Sequence, residues 1–78
     1  MDTHAHSFPE VVAFFGSDFN DIHELHGEVE LWVQGRKYEL HKSFVAIIPE
    51  GVEHGPLTVR NVTRPVFHYT VGCAGLYA

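Results

Sequence analysis

The apolar residues of this chain come in short runs, and this pattern constrains the fold more than any other feature. The runs are rich in valine, isoleucine, phenylalanine and tyrosine, and glycine, proline, asparagine or aspartate interrupts them. Such punctuation is typical of strands and turns, whereas an amphipathic helix repeats its apolar residues with a period of about 3.6. The pattern therefore predicts an all-β fold.

The predicted strands cover residues 3–6, 10–15, 28–33, 37–40, 44–48, 57–62 and 66–71. We expect residues 34–36 to form a tight hairpin turn, residues 61–65 to turn the chain again, and residues 16–27 to form the longest loop. Many short antiparallel strands protect their edges by closing or doubling the sheet. We therefore expect a small barrel or jelly roll.

The length of the chain limits how much surface it can bury. A chain of 78 residues is expected to form one domain, residues 1–78, and buries only about 60% of the surface that its unfolded form exposes. Its composition, 45% hydrophobic and 19% charged, is that of a globular protein. A metal ion, a partner chain or both are expected to contribute stability.

The charge balance bears on the choice of partner. Ten acidic residues against five lysines and arginines give a formal charge of −5, which repels phosphate backbones and anionic lipids. We expect neither a nucleic acid nor a membrane partner.

The first residues resemble no secretory signal, so a cytoplasmic location is expected. The single cysteine, Cys73, cannot form an internal disulfide and is expected to be a small apolar residue.

Three histidines and one glutamate form a candidate metal site. On an extended strand, His4 and His6 leave from the same face. Glu10 has the same parity, but four residues of extended chain cover about 13 Å, so the chain must reverse at residues 7–9. His54 follows the turn at residues 49–53, where Gly51 permits a positive φ.

The sequence therefore predicts one divalent transition metal bound by His4, His6, Glu10 and His54. Imidazole nitrogen combined with one carboxylate oxygen suits iron, manganese, nickel, zinc, cobalt or copper. The pattern does not choose among them.

These residues, in this order, resemble the two motifs of the cupin superfamily. The first motif is His-x-His, three or four residues, then Glu; the second contains Pro-x-Gly-x-x-His. The matching residues are His4, His6 and Glu10 in the first motif and Pro49, Gly51 and His54 in the second. The resemblance extends from residue 4 to about residue 71. It implies a cupin-type jelly-roll barrel, incomplete as a single chain because cupins usually have further strands before the His-x-His strand.

The resemblance also implies metal chemistry on a small oxygen-bearing molecule. Dioxygenases, decarboxylases, isomerases and lyases all occur in the family, and no catalytic residue is identified beyond the ligands. Four protein ligands leave about two positions of an octahedral ion open, which suits a small-molecule ligand. Two alternatives stay open: a non-catalytic module that binds a small acid or sugar, and a purely structural metal site.

The remaining histidines are expected to have no metal role. His23, His26 and His41 lie in loop or turn sequence and are expected at the surface. In the last predicted strand, side chains alternate between the two faces, so either His68 or the apolar residues at 67, 69 and 71 point inward. The simpler prediction is that the apolar residues point inward. An inward His68 would instead be a proton acceptor or a substrate contact near the metal.

A homodimer is the expected assembly. An incomplete barrel leaves strand edges with unpaired N–H and C=O groups, and a second copy is the simplest source of a partner strand. The interface is expected to include the amino-terminal segment or residues 66–71. Trp32 shares its face of the strand with Glu28 and Glu30, so it is expected to be partly exposed and to contribute to this contact.

Overall fold

A computed structural model describes residues 3–72 of the chain, and Cys73 lies outside this range. The strands are β1 (Glu10–Gly16), β2 (Glu24–Val33), β3 (Arg36–Lys42), β4 (Phe44–Ile48), β5 (His54–Arg60) and β6 (Val66–Gly72). The described residues include no helix with the length and apolar character that a membrane crossing requires. The prediction of an all-β fold is confirmed.

The strands form two antiparallel sheets of three strands each. One sheet has the order β4-β1-β6 and the other the order β3-β2-β5. The buried core contains Val12 and Phe14 of β1, Leu25 and Val29 of β2, and Ile48 of β4. No strand pairing between residues 3 and 72 joins the two sheets, so they form an open, barrel-like sandwich.

The period of two along β1 determines the side of the sheet to which the Glu10 side chain points. Val12 and Phe14 are buried in the core, and Glu10 has the same parity at the start of the strand. Burial of each apolar side chain of this size contributes about 1.5–3 kcal/mol. The packing that holds β1 in place therefore also fixes the direction of the Glu10 carboxylate.

Strand β2 begins earlier than the sequence predicts. The predicted loop over residues 16–27 is too long, because β2 starts at Glu24 and buries Leu25. The pairing of β2 with β3 shifts between Glu24 and Val29, and within this irregularity His26 has a φ of 53°. A β-bulge breaks the period of two on which strand prediction depends, so the sequence around it resembles a loop.

The amino-terminal segment is not the strand expected over residues 3–6. Its only pairing among the described residues is one antiparallel bridge, between His4 and His54. The His4 N–H donates to the His54 carbonyl oxygen at 2.7 Å, and the His54 N–H donates back to His4 at 2.8 Å. Strand β5 begins at His54, not at the predicted residue 57, because its pairing with β2 reaches His54, which lies opposite Val33.

The apolar residues of β6 do not face inward as the simpler prediction has it, and His68, on the opposite face of the strand, is itself exposed. Phe67, Tyr69 and Val71 were expected inward, and this is wrong, because all three are exposed. Register decides the outcome: His68 lies opposite Phe14, and Phe14 points into the core. The His68 ring stacks on Phe14 with 4.1 Å between centroids, and its Nδ1 lies 2.9 Å from the Ala13 carbonyl oxygen.

Candidate metal centre

The bridge between the amino-terminal segment and β5 brings two of the candidate ligands together. Directly opposite residues of an antiparallel pair share a face, so the rings of His4 and His54 leave from the same side. Their centroids are 4.2 Å apart. Thr3 adds a further tie, because its hydroxyl donates to the Gly55 carbonyl oxygen at 3.0 Å.

His6 and Glu10 approach each other across a reversal of the chain at residues 7–9, as the sequence predicts. The His6 ring stacks on Phe8, with centroids 4.7 Å apart and 12° between the planes. The Gly51 N–H donates to the His6 carbonyl oxygen at 2.8 Å. His6 Nε2 thereby lies 3.8 Å from Glu10 Oε2.

The turn at residues 49–53 delivers His54 to the site. Gly51 has a φ of 76°, so the positive φ expected from the sequence is confirmed. The Val52 N–H donates to Pro49 at 3.3 Å, and the Gln34 N–H donates to Glu53 at 2.8 Å. These bonds anchor the turn immediately before β5 begins.

The four predicted ligands converge on one point. One potential ligand atom from each of His4, His6, Glu10 and His54 lies within 4.8 Å of all the others. Atoms that each bind one ion at about 2 Å are separated by at most about 4 Å, so a small closure of the side chains would suffice. The structure brings together all of the residues that the sequence selects.

The ring of His54 has a defined proton arrangement. Its Nδ1 lies 2.9 Å from the Val52 carbonyl oxygen, which can only accept a hydrogen bond, so in the neutral imidazole Nδ1 carries the proton. The lone pair of Nε2 then points into the cluster. A carbonyl that fixes the tautomer in this way is the usual arrangement behind a metal-binding histidine.

Nε2 of His54 is the most informative atom of the cluster. It lies 2.7 Å from Glu10 Oε1, yet the geometry between them is not that of a hydrogen bond, and this buried nitrogen has no hydrogen-bond partner among the described residues. An unsatisfied buried polar atom costs about 1–3 kcal/mol. A cation bound by both atoms would remove that cost, so the arrangement fits a metal ion.

The cluster is closed on one side and accessible on the other. The side chain of His54 is 4% exposed, that of Glu10 is 14% exposed and that of His6 is 30% exposed. A small molecule could therefore approach from the side of His6. A fully enclosed structural site would leave no such approach.

The other histidines lie outside the cluster. His23 and His41 are exposed, as expected, but His26 is a half-buried residue of β2 whose Nε2 lies 2.9 Å from Asp18 Oδ2. The Asn20 N–H donates to Asp18, and this bond, followed by the bond from His26, lowers the pKa of the Asp18 carboxyl below its ordinary value of 3.8. This contact belongs to the bulge in β2.

Two contributors to the site were not predicted. The Val52 carbonyl oxygen is a backbone atom, and residue identity does not reveal its direction. Phe8 could have been noted as an aromatic residue two positions after His6, but only the bend in the chain stacks the two rings.

No protein-family model matches the chain, and no curated protein and no solved structure matches it either.

Proposed function

We propose that this protein is a cupin-like metalloprotein of the cytoplasm, and that it acts as an enzyme on a small oxygen-bearing substrate. The observation that carries the proposal is the buried Nε2 of His54, which faces Glu10 without a hydrogen bond. His4 and His6 complete a set of three nitrogen donors and one carboxylate around the same point. The resemblance to the cupin motifs supports the same proposal.

The donor set suits a divalent transition metal such as iron, manganese, nickel, zinc, cobalt or copper. Three neutral imidazoles and one carboxylate would reduce the charge of a divalent ion to a net +1. When bound, the metal would supply a Lewis acid that polarises an oxygen-bearing substrate. The reaction would be an oxygenation, a decarboxylation, an isomerisation or an elimination.

The surrounding residues would orient the ligands and limit access of water. The Val52 carbonyl holds the proton of His54 on Nδ1, and Phe8 restricts rotation of the His6 ring. Cross-strand neighbours on the inner side are apolar, because Ile48 lies opposite Glu10 and Val33 lies opposite His54. An apolar surround strengthens electrostatic interactions within the site.

A purely structural metal site and a non-catalytic binding module are the two alternatives, and they differ in how accessible the metal must be. A purely structural ion would be enclosed by its ligands, and the exposed side of His6 favours an accessible site instead. A non-catalytic module would share the accessible site but would release its ligand unchanged. Chemical turnover, not binding, separates that module from an enzyme.

The test begins with protein purified without a metal-binding tag. Its metal content is measured by elemental mass spectrometry, before and after reconstitution with iron, manganese, nickel, zinc, cobalt or copper. The loaded forms are then incubated with small carboxylic acids and diketones while oxygen uptake and products are followed. We expect one metal per chain and turnover with at least one compound.

Absence of a product and absence of metal binding would lead to different conclusions. Binding of a small acid to the metal-loaded protein without any product would favour the non-catalytic module. Failure to bind any of the six metals at micromolar concentration would contradict the proposal as a whole.

A further inference from the structure

The outer surface of the β4-β1-β6 sheet is apolar across all three strands. We call it the apolar outer face, and it consists of residues 11, 13 and 15 of β1, 45 and 47 of β4, and 67, 69 and 71 of β6. Register places them on one side: Ala13 lies between Val45 and Tyr69, and Phe15 lies beside Phe67. All eight positions hold valine, alanine, isoleucine, phenylalanine or tyrosine.

The other sheet has an outer surface of the opposite character. There, Glu30 of β2 lies 3.1 Å from Arg60 and 4.0 Å from Lys37, and Lys37 lies 3.1 Å from Glu39. Trp32 is half-buried on this side, and its indole N–H donates to Glu30 at 3.1 Å. The outer surface of the β3-β2-β5 sheet is thus charged and polar, whereas the apolar outer face carries no charged residue.

The composition of β1 explains the difference. A sheet that is solvated on one face alternates apolar and polar residues, whereas a sheet covered on both faces consists of nearly continuous apolar runs. After Glu10, β1 reads Val-Val-Ala-Phe-Phe, and β4 reads Phe-Val-Ala-Ile-Ile. These strands have the sequence of a sheet that is covered on both sides.

The apolar outer face reaches the lower end of the area range of specific contacts. At about 150–200 Å² for each large apolar side chain, the exposed fractions of the five large side chains on β4 and β6 amount to roughly 400–540 Å² per chain. Two such faces in contact would bury about 800–1,100 Å², and specific interfaces begin at about 1,000 Å².

The aromatic residues of this face form a cluster of the kind found at interface centres. The rings of Phe15, Phe67 and Tyr69 have centroids 6.0–6.4 Å apart. Phe67 is 63% exposed although it takes part in this cluster. Aromatic residues are enriched in protein interfaces and contribute much of their binding energy.

We propose that the apolar outer face is the interface of a homodimer, in which the β4-β1-β6 sheets of two copies pack face to face. A face without charge offers no complement to a charged partner, but it is complementary to itself under a two-fold axis. Stacked sheets pack about 10 Å apart with interdigitating side chains. This interface differs from the edge pairing expected from the sequence, and it leaves Trp32 on the outside.

The proposal does not depend on a bound metal. Glu10 belongs to the inner side of β1, so pairing through the outer face leaves the candidate metal centre accessible. Assembly and metal binding can therefore be measured separately.

The test compares two matched double substitutions. The face variant carries Ile47→Lys and Phe67→Lys; the control carries Ile22→Lys and Phe19→Lys, which makes the same changes at exposed loop positions. Ile47 is 70% exposed and Ile22 is 55% exposed, while Phe19 is 94% exposed. Neither variant should disturb the core of a single chain, and circular dichroism checks that each is folded.

Light scattering and sedimentation at micromolar concentrations provide the main measurement. We expect the unmodified protein and the control to have twice the 8.8 kDa mass of one chain. In the face variant the dissociation constant should rise at least about 100-fold, because lysines would be buried without partners. A monomeric unmodified protein, or a face variant that dimerises as tightly as the control, would overturn the proposal.

Hydroxyl-radical footprinting of the unmodified protein gives a second readout if the face variant does not fold. Ile47 and Phe67 should be protected several-fold compared with Phe19 and Ile22, and dilution should remove the protection. Equal labelling of the face and the loop at all concentrations would contradict the proposal. So would a monomer that binds neutral phosphatidylcholine vesicles through this face.

Discussion

Nε2 of His54 and Oε1 of Glu10 lie 2.7 Å apart at the buried end of the ligand cluster, and no hydrogen bond joins them. When the imidazole is neutral, its proton lies on Nδ1 of His54, and both facing atoms present lone pairs. Such a pair is unfavourable in the metal-free protein and favourable around a cation.

Metal binding should raise the melting temperature. A ligand at 100 times its dissociation constant stabilises the native state by about 2.7 kcal/mol. For a domain of this size, each 1 kcal/mol raises the melting temperature by about 4–8 °C, so a shift of about 10–20 °C is expected on zinc or cobalt addition. Calorimetry would measure it, and a chelator should reverse it. An equal shift in His54→Ala would show that the stabilising ion binds elsewhere.

Substitution of Glu10 by glutamine should change metal affinity and metal-free stability in opposite directions. The amide group of glutamine can donate to Nε2 of His54, which should raise the free energy of unfolding of the metal-free protein by about 1 kcal/mol. The loss of the carboxylate should weaken metal binding at least about tenfold. Glu39→Gln, at an exposed carboxylate, is the matched control. A Glu10→Gln variant that keeps the original affinity would exclude Glu10 as a ligand.

The contact between Asp18 and the β2 bulge should depend on pH. The pKa of Asp18 is lowered, first by the Asn20 N–H and then by His26, so its charged form stabilises the folded state. That stability is present above the unfolded value of 3.8 and is lost as pH falls through the lower folded value. Asp18→Asn should therefore lower the free energy of unfolding more than Asp21→Asn at neutral pH. Urea titrations should show the difference disappearing in acid; a difference that persists there would contradict this assignment.

Leu25 should be one of the most sensitive core positions, although it lies where the sequence predicts a loop. It is fully buried beside Val29, so Leu25→Ala should cost about 2–5 kcal/mol of unfolding free energy. Ile22→Ala, three residues earlier and exposed, should cost less than about 1 kcal/mol. Chemical denaturation of both variants would test whether β2 begins at Glu24. Similar costs at the two positions would argue against the bulged strand.

The sequence was sufficient for the fold class because strand signals are local. Strand β4 has the predicted bounds and β6 is one residue longer, since both are short apolar runs between turn residues. The beginning of β2 was missed because His26 and Gly27 lie in a bulge. The faces of β6 were misjudged because the outer side of its sheet is as apolar as the inner side, so alternation alone cannot choose between them.

The candidate site was predictable for a different reason. Metal ligands must be particular residue types, so His4, His6, Glu10 and His54 are visible in the sequence, and the structure brings their ligand atoms together. The tautomer of His54 depends on the direction of one backbone carbonyl, which no residue type encodes. Whether these residues bind a metal remains a prediction.

Isothermal titration of zinc into the unmodified protein, His54→Ala and His41→Ala tests the central claim most directly. His41 is exposed on β3 and lies outside the cluster, so it controls for loss of a histidine. We predict one tight site in the unmodified protein and in His41→Ala, and an affinity at least about 100-fold lower in His54→Ala. Binding should also weaken as pH falls from about 7 to about 5, since protonated imidazole has no lone pair for a metal. Undiminished affinity in His54→Ala, or equal losses in both variants, would contradict the proposed metal centre.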